Sequence, residues 1–226
     1  MRATLAVALL FASVSGGLMA EPVIDFGGET YHLDYHDRAK LPDGSFGDGV
    51  AEFTLKGETV NDWTKLFAFH SYPGTGDNPS LAAATLGKTV KENNKDANYA
   101  LTEDPKTGEA IVDFLTWAPG SDVMEFNVFK YAKAGDGTGL IALQYAQRFK
   151  TDDLDVADFR ELRQRSVEEM ARTDVGPAAT TSEATRRASS GPDRSLPTRR
   201  LPDLLADIRT AAHAPADTLA QILEKA

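Results

Sequence analysis

The chain has 226 residues, no cysteine and a formal net charge of −10. Without thiols it can form no disulfide, no thiolate nucleophile or metal site, and no lipid linkage through cysteine. The acidic balance opposes non-specific binding to nucleic acid or anionic lipid, so nucleic acid is not an expected partner.

Residues 1–20, MRATLAVALLFASVSGGLMA, have the parts of a secretory signal peptide. Arg2 supplies the positive start, Thr4 to Val14 the apolar stretch, and Ser15 to Ala20 the small-residue region, with cleavage expected after Ala20. Leu18, three residues before that point, departs from the small residue usual there. The apolar run is shorter than the roughly 20 residues that span a bilayer, and no second run of that length follows. The mature chain is therefore expected to carry no integral membrane segment and to be periplasmic or secreted. An exported chain without disulfides must rely on its core, and a domain of about 150 residues buries enough surface to do so.

That domain is expected over residues 22–172. Tyr31, Leu33 and Tyr35 alternate with His32, Asp34 and His36, the period of a half-buried strand. On a regular strand His32, Asp34 and His36 share one face. Two imidazoles and a carboxylate are candidate ligands for zinc or another divalent ion. Positions i to i+4 span about 13 Å, however, which favours chelation by two adjacent members over all three. The alternative is a solvated strand face opposite a core of Tyr31, Leu33 and Tyr35.

LPDGSFGDG (residues 41–49) has turn chemistry, and a short strand follows over 51–56. VNDWTKLFAFHSYPG (residues 60–74) then reads as a strand from Trp63 to Tyr72. Counting from Trp63, alternation sets Trp63, Phe67 and Phe69 on one side and Leu66, Ala68 and His70 on the other. A histidine beside so much apolar surface has its charged form disfavoured, which suits either a general base or a neutral packing residue. Ser71, the adjacent hydroxyl, falls on the opposite face, and no G-x-S-x-G surrounds it.

Asn78-Pro79 opens a helix over 80–94 carrying Leu81, Ala84, Leu86 and Val90. Strands are expected over 109–118, 123–133 and 140–150, the last two joined by AGDGTG as a hairpin. Asp113 and Glu125, flanked by apolar residues on neighbouring strands, are the carboxylate pair that could act as acid and base across a cleft. The alternative for both is pairing with basic side chains. Trp63, Trp117, Tyr131 and Tyr145 could stack on sugars or peptides where exposed, though aromatics on alternating strands usually form core. The glycine runs lack the helix that holds phosphate and the spacing that holds calcium, and no cofactor is expected.

A second helix is expected over 156–172, with Phe159, Leu162, Val167 and Met170 inward. Residues 173–200, poor in large apolar side chains, read as a disordered linker. Residues 201–226 carry Leu204, Leu205 and Ile208, then, past Pro215, Leu219, Ile222 and Leu223. These make short amphipathic helices that could dock on the domain or on a partner.

Strands, a helix, an antiparallel meander and a helix together argue for an α+β fold. This order, with GETVNDWTKLF leading into a strand before the first helix, resembles the PsbP/DcrB-like sandwich of exported proteins over residues 30–172. The resemblance implies an antiparallel sheet flanked by two main helices and an accessory, non-catalytic role. Two functional readings follow. The first is an exported binding or accessory protein of the bacterial envelope, its partner an unidentified protein or small-molecule ligand. The second is an exported hydrolase using His70 or a His32/Asp34/His36 site.

Overall fold

The computed structural model of the chain describes residues 22–175 apart from positions 136 and 138. The signal region, most of the linker and the C-terminal amphipathic segment lie outside these residues. The strands are β1 (Val23–Phe26), β2 (Glu29–Lys40), β3 (Phe46–Leu55), β4 (Lys65–Tyr72), β5 (Tyr99–Glu103), β6 (Ala110–Trp117), β7 (Val123–Lys133) and β8 (Leu140–Lys150). The α-helices are α1 (Pro79–Asn93), between β4 and β5, and α2 (Val156–Arg172), after β8.

All eight strands join one antiparallel sheet in the order β1-β2-β3-β4-β8-β7-β6-β5. Two four-stranded meanders thus meet where β4 pairs with β8, Phe67 lying opposite Tyr145 and Phe69 opposite Leu143. This corrects the expected helix-flanked α+β sandwich. The described residues form one wide β-sheet with two α-helices, richer in strand than that fold. The difference comes from β1 and β5, which the periodicity did not reveal and which form the two edges of the sheet. Four or five residues give too few alternations for a period to stand out, and YALTE in β5 is mostly exposed.

Each helix covers one face. Phe159 and Met170 of α2 join the core of Phe26, Tyr31, Phe53, Phe67, Leu115, Phe126 and Tyr145. Ala83, Leu86 and Val90 of α1 join Val112, Phe114, Phe129 and Tyr131 on the other face. Strand β6 lies under both helices, so all of AIVDFLTW is buried and its sequence runs apolar rather than alternating. Strand β1 is covered on one side only and alternates between exposed and buried. Full burial of a side chain such as Phe126 stabilises the fold by about 2–3 kcal/mol.

Helix starts follow the sequence closely. Asn78 accepts the Leu81 N–H at 3.0 Å, and Asp155 accepts the Ala157 N–H at 2.8 Å. The turn expected over 41–49 is shorter than its composition implied, because Phe46 to Gly49 already pair in β3. Strand β4 starts at Lys65, leaving Trp63 in the preceding loop. There Trp63 packs with Leu66, Ala68 and Ala146 rather than beside Phe67 and Phe69.

Candidate functional site

The α1 face of β4, β8 and β7 carries a row of polar side chains among apolar neighbours. Glu125 Oε1 accepts from Asn127 Nδ2 at 3.0 Å, Asn127 Oδ1 accepts from Gln144 Nε2 at 2.9 Å, and Gln144 Oε1 lies 2.9 Å from His70 Nε2. The direction of this chain follows from its end. A carboxylate only accepts, so Asn127 must turn its NH2 to Glu125 and its carbonyl to Gln144, and Gln144 must turn its carbonyl to His70. Neutral His70 therefore carries its proton on Nε2, and Nδ1 is the acceptor nitrogen.

Glu125 also accepts from Arg148 Nε at 3.3 Å, and the Arg148 guanidinium lies 3.7 Å from the ring centre of Trp63. Asn127 and Gln144 are buried. Each is satisfied only through its neighbours, so the row stands or falls as a unit.

His70 is half-buried. Its ring is parallel to that of Tyr72 at 5.9 Å and lies 5.8 Å from Phe129. Burial pushes its pKa down to about 4, against the smaller opposing effect of the Gln144 bond. Beside it the Tyr72 hydroxyl is buried without a hydrogen-bond partner, and burial, with Tyr131 and Asp48 near by, holds its pKa well above the ordinary value. Ser71 pairs with Ile141 on the α2 face, so the adjacent serine cannot make a nucleophile–base pair with His70.

The other candidate residues are separated. Strand β2 has a bulge between Leu33 and Tyr35 that takes Asp34 out of register, so His32 lies opposite Thr54 and His36 opposite Ala51. Thr54 and Ala51 are an odd number of residues apart on β3, so the two histidines face opposite sides of the sheet. Asp34 accepts the Val60 N–H at 2.7 Å. Among the described residues no group of three His, Cys, Asp or Glu side chains could hold a metal ion.

Asp113 and Glu125 are divided in the same way. Asp113, opposite Val128, points to the α2 face and is clamped by Arg163, with Nη2 at 3.1 Å from Oδ2. Glu125, opposite Thr116, points to the α1 face. The sheet stands between them. Trp63, Trp117, Tyr131 and Tyr145 are all buried, which makes them core rather than a stacking surface.

Sequence reasoning passed over Asn127, Gln144 and Arg148, and also the buried Lys130. Their signal was present as polar residues interrupting apolar strands in VMEFNVFKY and LIALQYAQR. In a strand covered on both faces such a residue must have a polar partner.

Over the described residues, fold and site together define an antiparallel β-sheet with two α-helices, in which His70, Asp113, Glu125 and Lys130 are held by hydrogen-bond or ion-pair partners. A family model matches residues 18–175, and the chain belongs to that family. No curated protein and no solved structure matches the chain.

Proposed function

We propose that the chain is an exported, non-catalytic binding or accessory protein of the bacterial envelope. The observation that carries this reading is the partnership of His70. Its Nε2 is bonded to the Gln144 amide oxygen and its ring is packed on Tyr72 and Phe129. A general base needs a nucleophile or a substrate proton within about 3 Å, and a pKa near the working pH. His70 is bonded to the Gln144 amide rather than to a nucleophile, and its pKa is about 4. Asp113 is neutralised by Arg163, and His32 and His36 are divided by the sheet. Export is supported by the pattern of residues 1–20, and a binding role by the sheet surfaces that the two helices leave uncovered.

The test has two parts. Expressed whole in a bacterial host, the protein should be released by osmotic shock, with Glu21 as its first residue. His70→Gln should then complement a deletion of the gene as well as the natural protein does. Retention in the cytoplasm would overturn export, and a null phenotype for His70→Gln in a protein that still folds would overturn the non-catalytic reading in favour of a hydrolase.

A further inference from the structure

We infer that the free edge of β5 pairs with the same strand of a second copy, forming a two-fold symmetric dimer centred on Leu101. Among the described residues, strand β5 is hydrogen-bonded only to β6 and ends the sheet. It is short and ends in the charged Glu103, but it has no lysine, proline or bulge between Tyr99 and Glu103. Instead it presents Tyr99 and Leu101, 38% and 41% exposed, both on the α1 face.

The ladder shows which groups look outward. The Asp104 N–H donates to the Glu109 carbonyl at 2.9 Å, continuing the β5–β6 register in which Thr102 faces Ile111 and Ala100 faces Asp113. In an antiparallel pair, hydrogen-bonded positions alternate. Ala100 and Thr102 therefore bond inward to β6, and Tyr99, Leu101 and Glu103 turn their N–H and C=O groups to the free edge.

Antiparallel pairing about Leu101 satisfies every one of these groups. Leu101 exchanges both bonds with its own copy, and Tyr99 exchanges both with Glu103 of the second copy. No like charges meet. Tyr99 faces Glu103, and Asn98 faces Asp104. A shift that places Leu101 opposite Glu103 would instead run Tyr99 beyond the end of β5, where the chain turns at Pro105 and offers no strand edge. The sequence around β5 is thus complementary to itself in one register. So small an edge contact gives a reversible dimer.

The absence of cysteine makes the register directly readable. In the proposed pairing Ala100 and Thr102 of opposite copies form a non-hydrogen-bonded pair, whose Cα separation of about 4.5 Å accepts a disulfide. Protein purified from cells expressing the whole chain should double its mass by light scattering as concentration rises. Leu101→Lys, which sets two ammonium groups together on the two-fold axis, should abolish the doubling without changing the melting temperature. An equal mixture of Ala100→Cys and Thr102→Cys chains should oxidise to the mixed covalent dimer, with little dimer from either chain alone. A natural chain that stays monomeric at high concentration would overturn the inference. So would Ala100→Cys alone cross-linking as well as the mixture, or doubling that survives Leu101→Lys. None of these results depends on whether His70 is catalytic.

Discussion

Lys130 Nζ, in the middle of β7, lies 2.8 Å from the carbonyl oxygen of Thr173, just past the end of α2. The same ammonium is 3.2 Å from the Ala171 carbonyl and 3.1 Å from Glu109 Oε2. A buried lysine thus caps the carbonyl end of the helix. Lys130→Met keeps the stem but strands two carbonyls and a carboxylate. It should lower unfolding stability by about 2–4 kcal/mol, read from urea denaturation. Glu109→Gln, which leaves both carbonyl contacts, should cost about 1 kcal/mol.

Asp113 and Arg163 tie β6 to α2 on the same face. Asp113→Ala leaves the guanidinium facing a void among apolar side chains, and should cost about 3 kcal/mol after allowance for the partial exposure of Arg163. Because desolvation of the pair offsets much of its attraction, Asp113→Leu combined with Arg163→Met should recover most of the loss. Failure of the double variant to recover would mean that the ion pair positions α2 in a way packing cannot replace.

His70 makes stability depend on pH. Its pKa is about 4 when folded, pushed down by burial from the ordinary value of 6.5. Between these values the unfolded chain binds a proton that the folded chain does not. The contribution is therefore complete above about pH 6.5 and is lost as pH falls toward 4. The expected loss across that window is about 2–3 kcal/mol. His70→Gln should flatten this part of the curve relative to the natural protein in paired urea titrations at pH 7.5 and 4.5. Carboxylates elsewhere act equally in both proteins and cancel in the difference.

Gly87 sets α1 down on the edge strand. A Cβ built there would run into the Tyr99 ring, closer than real atoms approach. Gly87→Ala should therefore cost about 1–3 kcal/mol by overpacking, despite the better helix propensity of alanine. Adding Tyr99→Ser removes the ring and should restore much of the stability. Thermal melts of the single and double variants test the pair.

Local features of this chain were legible because their causes are local. Asn78 and Asp155 open helices by bonding amide groups two or three residues away, and α1 and α2 begin within a residue of the starts expected at 80 and 156. The length and apolar content of residues 110–117, 123–133 and 140–150 mark strands buried on both sides. The identity of the site was not legible, because cross-strand register is a property of distant segments. That His70 meets Gln144, 74 residues away, follows from the pairing of β4 with β8. Similarly, one extra residue at Asp34 was enough to turn His32 and His36 to opposite faces. Alternation along one strand says which side chains share a face only while the strand stays regular. The sequence alone determined the helices, the buried strands and the absence of thiol chemistry. Tertiary structure decided how wide the sheet is, which strands form its edges, and which polar residues end up as partners, since a polar side chain sealed between helix and sheet must bond to whatever the register brings beside it.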